Sequence, residues 1–365
     1  MSTRFWTKEN KKPREQKGFF REWGDAILFA VVAATLIRWA TFEAYTIPTP
    51  SMEKSLLVGD YLFVSKLHYG PRTPKTPLQV PLTHQTIWGT NIPSYSDAIQ
   101  LTSYRLPGFS EVKNNDVVVF NFPPEEQHPT DLRTNYIKRC IGIAGDKIEM
   151  RDMQIYINDK LVPDPAGVQY SYVLVAPTGL GEKFFKDYNI YQPRQENASV
   201  FSVHISPQQA EEISKLPFIS QVVQMKDSVG DVRAEVFPFK PSLYPHNKDN
   251  FGPFIIPKEG MKVTLDAKTI PLYEMAIRRY EGHENVVVTD NSISIDGKPI
   301  TEYTFKQNYY WMMGDNRHNS EDSRYWGFVP EDHIVGKAVL VWMSSNPDEG
   351  LLDKIRWRRI FMGIK

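Results

Sequence analysis

The chain has 365 residues, with 43 Lys and Arg against 43 Asp and Glu, 13% aromatics and 27 prolines. That length holds one large domain or two medium ones, and a zero net charge without a basic patch interleaved with aromatics argues against nucleic acid. The single cysteine, Cys140, excludes an intrachain disulfide and a multi-cysteine metal site; the eight histidines form no H-E-x-x-H pattern, so no zinc chemistry and no cofactor is expected.

Residues 1–24 are polar and basic, with Arg4, Lys8, Lys11, Lys12, Arg14, Lys17 and Arg21 outnumbering Glu9, Glu15 and Glu22. An apolar run follows from Ala26 to Phe42, seventeen residues broken only by Arg38. This is the short end of the roughly 17 to 25 residues that span a bilayer, and Arg38 stands near enough to one end to snorkel. A buried helix or a cleavable signal peptide shares the pattern, but no small-x-small cleavage site follows the run. The expectation is an uncleaved transmembrane anchor at 25–43. Basic flanks stay in the cytoplasm, which places everything after the anchor on the outer face of the membrane.

Beyond the anchor, Tyr45 to Asp60 reads Y-T-I-P-T-P-S-M-E-K-S-L-L-V-G-D. Pro48 and Pro50 disfavour helix for the residue ahead of each, so Ser51 is presented on an extended, stiff segment. Taken alone, a serine in such a stretch is as well a turn residue as a nucleophile. Leu56 to Tyr69 reads as two short strands around a Gly-Asp turn. Residues 70–111 are rich in Pro and Ser and form a loop insertion, whose Trp88, Tyr95, Tyr104 and Phe109 either pack locally or form a rim against the membrane.

Asp116 to Phe122 is the strongest buried strand. Residues 135–150 supply a strand, a glycine-containing turn and a further strand; 155–162 reads as a hairpin turning at Asn158-Asp159, with a weak echo at 293–300. Residues 163–290 show strand-like runs and one short helix, Pro207 to Leu216, and read as a second β-rich subdomain inserted into a first made of 44–162 and 291–345. The tail, 346–365, is amphipathic and basic and is expected to lie on a surface.

A serine needs a base to act as a nucleophile at neutral pH. The chain lacks a G-x-S-x-G elbow, and no histidine stands in a recognisable triad context. Lys138 is the better candidate: it falls in the apolar strand Tyr136-Ile137-Lys138, where alternation turns its side chain either toward the core or out to solvent.

Three blocks decide the matter together: Ser51 with Thr49 two positions earlier, Y-I-K-R followed by G-I-A-G-D, and G-D-N-R-x-N-S-x-D-S-R-x-W-G. In this order behind an N-terminal anchor, they resemble the type I signal peptidases, Ser/Lys membrane endopeptidases that remove signal peptides from exported preproteins. The resemblance covers the anchor, residues 43–69, 112–158 and 291–345, and the chain's end. It implies a mainly β fold: a transmembrane helix, then an antiparallel β-rich catalytic domain carrying the inserted subdomain.

It further implies Ser51 as nucleophile and Lys138 as general base, with an oxyanion hole from the Ser51 N–H and the Thr49 hydroxyl. Ser320 would hydrogen-bond and orient Lys138, Gly314 would let the loop approach it, and Asp315, Asp322, Arg324 and Arg139 would form a charged scaffold. Tyr45, Ile47, Met52, Leu56, Tyr136 and Ile137 match residues lining the sites for small side chains one and three positions before the cut, although core packing suits them equally. A normal lysine is only about 0.1% neutral at pH 7.4, so the dyad requires Lys138 to be buried. Implied partners are exported preproteins, the lipid bilayer and, transiently, the export translocon; the implied location is the cytoplasmic membrane, single-pass. The pattern departs at Lys54, where proline is usual, and at His318, where an acid is frequent. A self-cleaving Ser/Lys repressor-type protease and a non-catalytic, membrane-anchored adaptor are the competing readings.

Overall fold

The computed structural model describes residues 18–347, 349–350 and 354–365. The basic residues at positions 4 to 17 lie outside that range. The first element is a helix, α1, Phe19–Ala40, of 22 residues with none buried. At about 1.5 Å per residue it is roughly 33 Å long, close to the roughly 30 Å of a bilayer's hydrocarbon core. It starts earlier than the apolar run and stops before Phe42. Thr41 leaves helical geometry at φ −125° and ψ −81°, and Phe42 then pairs with Ser65. Where the helix ends, Glu43 receives both Arg38 at 2.6 Å and Lys66 at 2.8 Å.

Four strands organise the first part of the domain beyond the helix: β1, Phe42–Thr46; β2, Asp60–Ser65; β3, Val117–Asn121; and β4, Asn135–Gly142. They belong to one antiparallel sheet ordered β1, β2, 334–344, β3, β4, 309–313 and 329–330, with 362–363 pairing on 334–344. β3 explains the sheet's depth. Its Val117 and Val119 pack into one apolar cluster with Ile47, Met52 and Leu62, whereas Val118 and Phe120 pack into another with Cys140, Met312 and Trp326. A β-branched run buried on both faces loses its usual polar alternation for that reason. Register shifts between Tyr61 and Leu62, Phe63 and Val64, and Ile334 and Gly336 increase the local twist and help the sheet curl.

Leu56 to Tyr69 forms one strand rather than two. Gly59, at φ +87°, lies so close to the Ser345 carbonyl that a Cβ would sit 1.9 Å from it, and Asp60 accepts from Leu57 N–H at 2.8 Å. Leu56 therefore enters the core from a turn. Residues 70–111 contain isolated bridges such as Arg72 with Arg105 and Gln79 with Tyr95. Asp131 pins this segment by accepting from the backbone N–H groups of Lys75 and Thr76, both at 2.9 Å. Trp88, Tyr104 and Phe109 are exposed, while Tyr95 bonds His128.

After β4, strands 147–151, 154–157 and 160–162 form a sheet that also takes in 251–255. The Asn158-Asp159 turn has positive φ at both residues, 51° and 66°, as a tight hairpin requires. Asp296 and Gly297 repeat it at 51° and 75° in the hairpin 293–300. A second four-stranded sheet holds 170–175, 194–197, 200–205 and 221–224. The expected short helix is Pro207–Ser214, started by Pro207 and a reciprocal Ser206–Gln209 capping box. One apolar cluster runs from Ile148 and Leu174 through Phe251 and Phe254 to Trp311 and Phe328, so residues 163–290 share their core with strand 309–313.

The tail packs on the protein itself. Arg359 binds Asp60 at 2.6 Å, Arg356 donates to the Val58 carbonyl at 2.8 Å, and Met362 and Ile364 join the cluster around Ile47 and Met52.

Candidate active site

Thr49 is extended, at φ −129° and ψ 152°, as a residue before proline must be, and Pro50–Met52 then closes one 3-10 turn. That turn carries Ser51, only 8% exposed, to β4. On β4, Lys138 is 4% exposed, so the strand's alternation turns it inward. Its Nζ lies 2.6 Å from Ser51 Oγ. Burial is the largest influence on this amine and lowers its pKa to about 8, against opposing effects of Asp322 and Glu321. About a fifth of such a group is neutral at pH 7.4. Neutral Nζ offers a lone pair at hydrogen-bonding distance from the serine hydroxyl.

Gly314 seals the site from the other side. A Cβ there would lie 2.2 Å from Ser320 Oγ and 2.6 Å from the Ser51 carbonyl, so no side chain fits. Ser320 is buried close to Gly314, but its Oγ has no hydrogen-bond partner among the described residues. The expected bond from Ser320 to Lys138 is therefore not formed; the lysine's amine is directed at Ser51 instead.

Two buried ion pairs fix the 314–327 loop. Arg139 grips Asp315 through Nε at 2.8 Å and Nη2 at 2.6 Å, and Asp315 also accepts from Ser55 Oγ at 2.5 Å. This ties the loop to the segment just after Ser51. Arg324 holds Asp322 through Nε and Nη2, both at 2.8 Å, and Asp322 accepts from Gly314 N–H at 3.0 Å. Burial pushes the Asp322 carboxyl upward, but Arg324 and the Gly314 N–H outweigh it and hold it below the normal range. None of these four charged side chains is the group in contact with Ser51 Oγ.

The pocket candidates divide. Ile47, Met52 and Leu56 are buried in the core cluster, with Met52 and Leu56 fully enclosed, while Tyr45 and Ile137 are half-buried against it. Tyr136 lies on the other face, stacked on Phe122 at 4.2 Å and 5.5 Å from Lys138 Nζ. Thr49 is exposed beside Ser51.

Sequence reasoning missed Asn316, whose N–H donates to the Ser51 carbonyl at 3.0 Å and whose Nδ2 donates to Pro50 O at 3.2 Å. The signal was available, because Asn316 stands inside the G-D-N-R block. It also missed Glu53, 6% exposed, with Oε2 buried and without a hydrogen-bond partner among the described residues, and with burial pushing its carboxyl up to about 7. Lys54, in place of the usual proline, takes φ 72° and bonds the Asn189 carbonyl, a conformation proline cannot adopt.

Two strand edges border this site. Bonds from Ile47 N–H to Asp60 O and from Lys66 N–H to Thr41 O show that odd-numbered residues of β1 face β2, leaving the backbone of Ala44 and Thr46 facing away. On β4, Phe122 N–H bonds Thr134 O, so Asn135 and Ile137 face away from β3, and strand 309–313 reaches only as far as Arg139.

The family profile of signal peptidase, peptidase S26, matches residues 20–211 and 256–343. The chain belongs to this family. Similar proteins include Signal peptidase I of Rickettsia akari, 34% identical over 96% of this chain and 86% of the relative. Signal peptidase I of Rickettsia massiliae is 32% identical over 92% of this chain and 84% of its own, and that of Buchnera aphidicola from Acyrthosiphon pisum is 28% identical over 87% and 73%. The protein is thus a serine endopeptidase of the S26 family, mainly β, with one N-terminal helix long and apolar enough to cross a membrane.

Proposed function

We propose that this peptidase removes signal peptides from exported preproteins with Ser51 as nucleophile and Lys138 as general base. The observation that carries the reading is the 2.6 Å contact between a buried amine and a buried hydroxyl. Ser51 Oγ attacks the scissile carbonyl carbon while its proton passes to Lys138 Nζ. The oxyanion receives hydrogen bonds from the Ser51 N–H and the Thr49 hydroxyl. The Lys138 ammonium then returns the proton to the departing amine, leaving an ester on Ser51. Water, deprotonated by Lys138, hydrolyses the ester.

The substrate pairs as an extended strand between the free edges of β1 and β4, with Tyr45, Ile47 and Ile137 bordering shallow sites that select small residues one and three positions before the cut, Ala-x-Ala in the simplest case. Met52 and Leu56 shape those sites from beneath. α1 anchors the enzyme in the cytoplasmic membrane as a single span, with the catalytic domain on the outer face near the translocon. Sharing a bilayer with the substrate raises the effective concentration of both.

Ser51→Ala and Lys138→Ala are each expected to lower cleavage of a precursor with alanine at both specificity positions by at least 10³-fold, with unchanged circular dichroism. Normal cleavage by either purified variant in detergent would refute the assignment.

A further inference from the structure

One large cavity lies away from Ser51. It has a volume of about 1020 Å³ and opens where α1 meets β1, walled by Leu36 and Trp39 of the helix, Glu43 and Tyr45 of the strand, and the loop that carries Val80 and Leu101. Two of those walls give it a direction. β1 runs from the helix end toward the turn that holds Ser51, so its inward side chains Tyr45 and Glu43, with buried Ile47 just beyond its end, form a track from Ser51 to the cavity. The third wall is held in place over the cavity: Trp39 Nε1 donates to the Arg72 carbonyl at 2.7 Å, and Arg72 Nη2 donates to Asn121 at 2.7 Å.

We propose that this cavity is the lateral entrance through which the precursor chain passes from the bilayer to the cleft, and that it holds the substrate residues about six to nine positions before the cut. The proposal rests on the signal-peptidase reading above. An extended chain repeats every two residues. With the residues one and three before the cut beside Ile47 and Tyr45, the residue five before it lies beside Glu43 at the cavity's inner wall, and the next ones fill the cavity. The lining suits that part of a precursor. Apolar Leu36, Val80, Leu82 and Leu101 stand beside Thr76 and Gln79, matching a chain that changes there from a membrane-embedded apolar segment to a polar extended one. The loop's outer side bears exposed Leu78, Trp88, Ile92 and Ile99, which fits contact with the bilayer next to α1. Glu43, buried and fully paired with Arg38 and Lys66, leaves no unpaired charge at the track's inner end.

The test uses the full-length enzyme in proteoliposomes, carrying Ser51→Ala to retain substrate and either Val80→Cys or Leu101→Cys; Cys140 is buried and does not compete. Precursors bear one cysteine each, at positions three to twelve before the cut or ten after it. Oxidation is expected to give a disulfide at least tenfold more efficiently for positions six to nine than for the position ten after the cut. Val287→Cys, exposed on the hairpin 286–295 and no part of the cavity wall, is expected to give none. The enzyme with native Ser51 must cleave the same precursors; if it does not, the signal-peptidase reading fails first. Cleavage without cross-linking, or cross-linking equal to that at Val287→Cys, would overturn the entrance and leave the cavity to lipid or solvent.

Discussion

Lys138 shows the conflict between stability and chemistry at the scale of one residue. Its pKa falls from the ordinary value near 10.5 to about 8 in the folded protein. Between those values the unfolded chain binds more protons, so stability rises with pH through that window and is penalised below it by something on the order of 3 kcal/mol. Lys138→Met keeps the length, removes the amine and is expected to abolish cleavage while raising the urea midpoint at pH 7. A midpoint below that of the parent would show that the amine stabilises the fold. Glu53 is the mirror case. Its folded pKa is raised to about 7, so it favours the folded state at low pH and loses that contribution as pH rises from about 4.5 to 7. Glu53→Gln should flatten the decline in stability over that interval, by about 1 to 3 kcal/mol at pH 8, as read from chemical denaturation. At this scale Ser51 and Lys138 are legible in the sequence only through the three blocks that together resemble the type I signal peptidases; the proline-flanked segment and strand alternation each leave a purely structural role open. That Ser320 Oγ bonds no group among the described residues is not legible there, because hydrogen bonding depends on distances that a motif does not encode.

At the scale of elements, the 314–327 loop is held in place by charges buried in pairs rather than solvated. Asp322 links Arg324 to the Gly314 N–H, and so sets how closely the loop approaches Lys138. Removing one partner of a buried pair leaves the other uncompensated, at a cost of about 3 to 5 kcal/mol. Asp322→Asn is expected to lower the melting temperature by several degrees and to reduce kcat more than it raises KM; an unchanged melting temperature would contradict the pairing's structural role. The elements most legible in the sequence are those with local causes: β3 from its β-branched run, the hairpin at Asn158-Asp159 from its turn residues, and the helix at 207–214 from Ser206, Pro207 and Gln209. Leu56 to Tyr69 misleads because Leu56 and Leu57 look strand-like. Their turn is imposed by Gly59 against Ser345, a contact between residues far apart in the chain.

Across the whole molecule, long-range pairing supplies what periodicity cannot. The tail, amphipathic and basic and expected to lie on a surface, packs on the protein: Arg356 and Arg359 bind Val58 and Asp60, and Arg139 donates to the carbonyl of Lys365 at 3.0 Å. The tail thus braces the turn at Ser51 and the Arg139–Asp315 pair together. In the sequence, strand-like runs and one short helix make residues 163–290 read as a β-rich subdomain inserted into the first. In three dimensions strand 251–255 completes the sheet begun at 147–151, and Phe251 and Phe254 pack on Trp311 at centroid distances of 5.3 and 5.0 Å. Strand 309–313, which carries Trp311, continues directly into Gly314. The insert is therefore coupled through one shared core to the 314–327 loop.

The claim on which the account depends is that a buried, neutral Lys138 accepts the proton of Ser51. The measurement that addresses it most directly is the pH dependence of kcat/KM for precursor cleavage by the full-length enzyme, from pH 5 to 10. The account predicts a rising limb with an apparent pKa near 8, falling about tenfold for each pH unit below it. A limb near 6.5, where an unperturbed histidine titrates, or a flat profile through pH 8, would contradict it.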